Sequence, residues 1–183
     1  LEDMQKDTSL PTRQAQKLSV IHLSALRLLN LINQILEFRK TETQNKKLCV
    51  CKGNIVPLIH EIGLKYKELN QKKAIDFQIQ IEKEEMTLFF DKEIITIILD
   101  NLISNAIKYT EQGKITLSLY PTTRNGVTYT EIKVSDTGYG ISAEALPHVF
   151  DRYYQESGKH QASGTGIGMA LGRNLVELNE GEI

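Results

Sequence analysis

The sequence predicts an α+β fold: a two-layer α/β sandwich, its mixed sheet covered by helices on one face, preceded by a long helix. Three patterns carry that expectation. Apolar residues at alternating spacings of 3 and 4, from Leu18 through Ile21, Ala25, Leu28, Ile32 and Ile35, form a heptad seam. Ile75, Phe77, Ile79 and Ile81 alternate with polar residues, as do Ile115, Leu117 and Leu119, then Val127, Tyr129 and the stretch to Val134, which reads as half-buried strands. Between these strands Ile95, Leu99, Leu102, Ile103 and Ala106 repeat with a helical period.

In chain order, residues 1–7 read as the tail of a helix, and Pro11 opens the long one. Val20, Leu29, Leu31 and Leu36 widen its apolar surface beyond a narrow seam, which suits a bundle of several helices; packing on its own domain is the alternative. Polar residues 40–47 place a domain boundary near residue 46, dividing the chain into 1–46 and 47–183. A short extended stretch at 48–50 leads through Pro57 into a helix reaching about Asn70. Residues 86–90 form another strand, and Asp91 caps the helix that follows. Asn125-Gly126 is a hairpin signal. Residues 151–163 lack periodicity and read as a mobile loop, a candidate lid.

On the capped helix, Asn101, Asn105 and Lys108 fall at i, i+4 and i+7, a polar stripe opposite the apolar one. Any solvated face gives a polar stripe, but two amides and a lysine are a particular choice. Amide oxygens suit a hard cation such as Mg²⁺, and an ammonium offsets phosphate charge. Gly138 and Gly140 follow Asp136, which stands at a strand end with a carboxylate able to accept from an amino group. Gly164, Gly166 and Gly168 precede an apolar-periodic run whose first amides can face an anion. Singly, each has an ordinary alternative: a flexible turn for the glycines, a turn-initiating aspartate for Asp136. In this order they describe a nucleotide site.

Asp100-Asn-Leu-Ile-Ser-Asn105-Ala-Ile-Lys108-Tyr109, Asp136-Thr-Gly138-Tyr-Gly140-Ile141 and Gly164-Thr-Gly166-Ile-Gly168 resemble the N box and two glycine boxes of the histidine-kinase catalytic domain. That domain belongs to the superfamily of gyrase-type, chaperone and mismatch-repair ATPases. Val149-Phe150-Asp151-Arg152-Tyr153-Tyr154-Gln155 is similar to the kinase F box, which the cousins lack. The resemblance implies an ATP-binding catalytic domain of a sensor histidine kinase. It would transfer the ATP γ-phosphoryl group to a histidine on a dimerisation helix, for relay to a response-regulator aspartate.

By the same resemblance Asn105 coordinates Mg²⁺, Lys108 contacts phosphate, Tyr109 lies near adenine and Asp136 accepts the adenine amino group. Asn101, Ile141, Thr165 and Ile167 complete the nucleotide-binding set with Gly138, Gly140, Gly164, Gly166 and Gly168. Phe150 packs the base of the lid. Three departures stand out. Gln155 occupies a position where some members carry an arginine, which Arg152 or Lys159 would replace. Asn101 stands where gyrase-like members have a water-activating glutamate, so phosphotransfer with little hydrolysis is expected. No phosphoacceptor motif is present, since His22, His60, His148 and His160 all lack its context. The chain is therefore expected to be a piece of a longer protein, beginning after the acceptor motif and ending before the family's last strand.

Its wording, as in Leu29-Asn-Leu-Ile-Asn-Gln-Ile-Leu-Glu-Phe-Arg, resembles Bacteroides-type hybrid two-component sensors, implying a homodimer, a receiver-domain partner and a cytoplasmic position beneath an inner-membrane sensor. The alternatives are a degenerate nucleotide-binding scaffold and a hydrolysing gyrase- or chaperone-type ATPase.

Composition fits this. A length of 183 residues with 40% hydrophobic content can bury a sizeable core. A formal net charge of −1, from 22 basic and 23 acidic residues, offers no electrostatic basis for direct nucleic-acid binding. Cys49 and Cys51 make a poor disulfide pair and, without a neighbouring histidine, no zinc site. No apolar run is expected to span a bilayer, and no signal peptide opens the chain.

Overall fold

The computed structural model describes residues 12–42, 47–70, 74–155 and 165–183. Helix α1 (Thr12–Glu42) leads to β1 (Cys51–Asn54), α2 (Val56–Leu69), β2 (Ile75–Ile81), β3 (Thr87–Phe90) and α3 (Lys92–Tyr109). Then follow β4 (Gly113–Arg124), β5 (Val127–Asp136), a 3₁₀ turn (Leu146–His148) and α4 (Gly168–Leu178). The predicted order is present, with one shift: residues 48–50 are irregular, and the strand begins at Cys51.

The main sheet has the order β2-β4-β5, with β2 parallel to β4 and β4 antiparallel to β5. It is mixed, as the order of helices and strands along the chain predicted. Ile115, Leu117 and Leu119 of β4 are fully buried on one face, against Ile59 of α2 and Ile103 of α3. Strand side chains alternate, so Ser118 and Tyr120 face the other way and are only half buried. The helices thus cover one face. Each of these aliphatic side chains contributes about 1.5–3 kcal/mol relative to an exposed one. The β4–β5 hairpin turns on Asn125 (φ 52°) and Gly126 (φ 78°), the two left-handed positions of a type I′ turn.

A separate pair, β1 with β3, lies antiparallel. Asn54 ties it to α2, its Oδ1 accepting from the backbone N–H of Val56 (3.1 Å) and of Met86 (3.0 Å). Asp91 caps α3 as predicted: Oδ1 accepts from the N–H groups of Glu93 (2.9 Å) and Ile94 (3.2 Å). Its Oδ2 accepts from Cys49 N–H at 2.7 Å, so a buried carboxylate also pins the linker that follows α1.

A second core joins α1 to the sandwich. Phe38 of α1 is buried with Ile94 and Ile98 of α3, and with Ile167, Ala170, Leu171 and Leu175 at α4; Leu31 packs at its edge. Residues 31, 34 and 38 form the stripe that meets the domain. The heptad seam points elsewhere, leaving Ile21, Leu28, Ile32 and Ile35 between 39% and 57% exposed. Contrary to the expectation of no membrane-length run, residues 17–41 form a helix long enough to cross a bilayer and contain an 18-residue window with a mean hydropathy of 1.2. The contacts of Leu31, Gln34 and Phe38 account for that composition otherwise: one stripe packs on the domain while the seam stays open. Residues 1–11, the polar link at 43–46, and His160, Lys159 and Gly164 in the candidate lid lie outside the described residues.

Candidate nucleotide site

The stripe on α3 lies between two loops. At its C-terminal end Tyr109 O accepts from Tyr139 N–H (3.2 Å), and the Thr110 hydroxyl donates to Asp136 Oδ1 (3.5 Å). Asp136, the last residue of β5, also accepts on Oδ1 from Gly138 N–H at 2.9 Å. Among the described residues nothing donates to Oδ2, which leaves an acceptor for an incoming amino group. Gly138 has to be glycine, because a Cβ would overlap the Tyr109 carbonyl oxygen and stand 2.8 Å from its carbon. The β5 turn can therefore press directly on the end of α3.

Just over two turns earlier, α3 meets the start of α4. A Cβ on Gly168 would stand 2.8 Å from Asn101 Oδ1. Gly166 adopts φ +67°, with its carbonyl accepting from Tyr153 N–H at 2.9 Å, and a Cβ there would lie 2.6 Å from the Tyr153 backbone. The glycine-rich segment is thus clamped to Tyr153, a contact the sequence reading did not anticipate. Phe150 takes the Arg173 guanidinium over its ring at 5.5 Å, tying the segment after the 3₁₀ turn to α4.

Asn105 and Lys108 lie between these contacts on the exposed side of α3. At about 1.5 Å per residue, Asn101 and Tyr109 stand roughly 12 Å apart along α3. Asn105 is half buried and makes no hydrogen bond among the described residues, so its amide oxygen is left for a ligand. Lys108 Nζ donates to the Tyr109 hydroxyl at 3.0 Å and sits 4.6 Å from that ring, at the C-terminal end of α3. Tyr139 is bonded to Glu111, which holds its phenol above the usual range. Ile141 is exposed at the rim, next to Gly140 in its left-handed conformation (φ 73°).

Asn101 stands apart from its neighbours. Its Nδ2 donates to Ile97 O (3.0 Å), and its Oδ1 accepts from Gln34 Nε2 of α1 (3.4 Å). Gln34 Oε1 in turn accepts from the Thr165 hydroxyl at 3.0 Å. Phe38 lies under the Arg152 guanidinium at 4.5 Å. Gln34 and Phe38 fall within the segment Leu29–Arg39 quoted from the sequence, but neither belongs to the heptad seam and neither was assigned to the site. Ile167 is buried in the second core and is a packing residue, with its N–H donating to Thr165 Oγ1 at 3.2 Å. Among the described residues no cluster of histidine, cysteine or carboxylate groups could hold a metal, and both cysteines are free.

Residues 90–183 match the family model of histidine kinase-, DNA gyrase B- and HSP90-like ATPases. Over 92% of its length the chain is 33% identical to histidine kinase P4 of Formosa agariphila, and over 97% it is 32% identical to the aerobic respiration control sensor protein ArcB of Escherichia coli. It spans 12% and 23% of those two relatives. Full-length ShkA, crystallised with AMPPNP, superposes with a TM-score of 0.76 at 24% identity, covering 94% of this chain and 35% of that one. The chain belongs to the histidine kinase-, DNA gyrase B- and HSP90-like ATPase family, among the histidine kinases.

Proposed function

We propose that residues 47–183 form the ATP-binding catalytic domain of a sensor histidine kinase, and residues 1–46 part of its dimerisation hairpin. One observation carries this reading: the polar stripe of α3, where Asn105 and Lys108 lie between the Asp136 carboxylate and the glycine-rich entry to α4. A scaffold has no physical need for an unbonded amide beside a lysine there.

Each group has a task that its chemistry suits. Asp136 Oδ2 accepts from the exocyclic amine of adenine, which selects ATP over GTP. Lys108 moves from the Tyr109 hydroxyl to a phosphate oxygen, and Tyr109 stays beside the base. Asn105 offers one neutral oxygen, the donor type that a magnesium ion shared with phosphates and water accepts. The ion would neutralise charge on the phosphates during transfer. Thr165 and the backbone amides at Gly166 and Gly168 face the phosphate end. No carboxylate stands at Asn101 to activate water, which favours transfer over hydrolysis.

The open seam of α1 supports the homodimer, since a row of half-exposed aliphatic residues at heptad spacing is what a helical bundle buries. The receiver domain of a response regulator is the proposed onward partner, and a cytoplasmic position beneath a membrane-bound sensor the proposed location. The test is transfer from labelled ATP to a separately supplied dimerisation helix carrying an acceptor histidine. Magnesium-dependent labelling that Asn105→Asp loses supports the reading; rapid phosphate release without labelling contradicts it.

A further inference from the structure

Gln34 bridges the two elements on the proposed phosphate side of the site, bonding Asn101 on α3 and Thr165 at the root of the glycine-rich segment. It comes from α1, outside the residues that match the family model. Its two bonds occupy groups that the nucleotide reading assigns to the ligand: Asn101 Oδ1, whose amide nitrogen is already committed to Ile97 O, and Thr165 Oγ1. Beside this bridge lies a cavity of about 280 Å³, lined among others by Asn33, Gln34, Tyr66, Asn101 and Ser104. The carboxamides of Gln34 and Asn101 therefore have room to turn without disturbing the core.

The hydrogen bonds are exposed enough to be exchanged for a ligand, whereas the Phe38 contact is not. Phe38 sits in the apolar core with Leu171 and Leu175 and fixes where α1 lies, while Gln34, one turn earlier, hydrogen-bonds Asn101 and Thr165. A small rotation of α1 would move the Gln34 amide off Asn101 and Thr165 together, because one side chain makes both bonds.

We propose that Gln34 is a positioning residue that withholds Asn101 and Thr165 from the nucleotide phosphates, so that the orientation of α1 sets nucleotide affinity. This rests on the nucleotide-site reading above. Its sign is specific: removing a structural contact lowers affinity, whereas removing a competitor raises it.

The test uses the full 183-residue chain and Gln34→Met, which keeps side-chain length and removes both hydrogen bonds; Gln34→Ala serves as a second variant. In the nucleotide-free protein, amide exchange at Ile167, whose N–H bonds Thr165 Oγ1, is expected to quicken several-fold in both variants, with exchange at Leu171 in the core unchanged. Calorimetric titration with ATP and Mg²⁺ is then expected to give binding at least threefold tighter than wild type. Unchanged Ile167 exchange, or unchanged or weaker affinity in a folded variant, overturns the proposal. If wild type binds and the variants match it, only the role of Gln34 fails. If none of the three proteins binds ATP, the nucleotide reading fails with it.

Discussion

Gly138 lies against the Tyr109 carbonyl so closely that no side chain fits between them, with 2.8 Å from a Cβ to the carbonyl carbon. The strand end that carries Asp136 is thereby seated on the helix that carries Asn105. Gly138→Ala should force the β5 turn off α3, weakening ATP binding at least tenfold and destabilising the fold by about 1–3 kcal/mol through overpacking. Calorimetry and chemical denaturation measure the two effects on one preparation. Normal binding by the variant would show that the contact does not position the site.

Asn105 is half buried, and its amide makes no hydrogen bond among the described residues, so the fold does not need it. Asn105→Asp places a negative charge beside the proposed phosphates and should reduce ATP affinity by tenfold or more. The melting temperature should stay within a degree or two of wild type. His22→Ala, on a helix face away from the site, should leave ATP binding unchanged.

The second core predicts a cost at α4. Leu175 is fully buried among Ile94, Phe38 and Leu171, and truncation to alanine should destabilise by about 2–5 kcal/mol. Asp91→Ala, which removes the cap of α3 and the Cys49 bond, should cost about 1–2 kcal/mol. Urea titrations test both.

A pH effect is expected at the outer hairpin. The Tyr120 hydroxyl donates to Glu131, which also pairs with Arg124 at 2.8 Å, and that first bond lowers the Glu131 pKa below its ordinary value. A depressed folded-state pKa contributes stability above the unfolded pKa, lost as pH falls through the folded one. Tyr120→Phe should therefore flatten the acid limb of the stability–pH curve below about pH 4.5. A curve that parallels wild type there would remove the bond from the account.

Much of this was legible in the sequence because the signals were local. The Asp91 cap, the Asn125-Gly126 turn and the period-2 run at Ile115, Leu117 and Leu119 each depend on neighbours a few residues away. The polar stripe on α3 and the strand-end position of Asp136 follow from the same periodicities. What the sequence did not show were contacts across more than a hundred residues: Gln34 with Thr165, and Phe38 with Leu175, which no spacing rule encodes. For the same reason the boundary near residue 46 separates two helical patterns but not two cores, since α1 shares one with α3 and α4. Asn101 looked equivalent to Asn105 on a helical wheel, and only the partner helix makes them different.

The proposed function requires ATP to bind along α3 between Asp136 and the glycine-rich entry to α4. Calorimetric titration of the chain with ATP, with and without Mg²⁺, alongside Asp136→Asn, tests it most directly. Saturable binding, tightened by Mg²⁺ and lost in the variant, is the predicted result. A folded chain that binds no ATP, or an Asp136→Asn variant that binds it as well as wild type does, would contradict it.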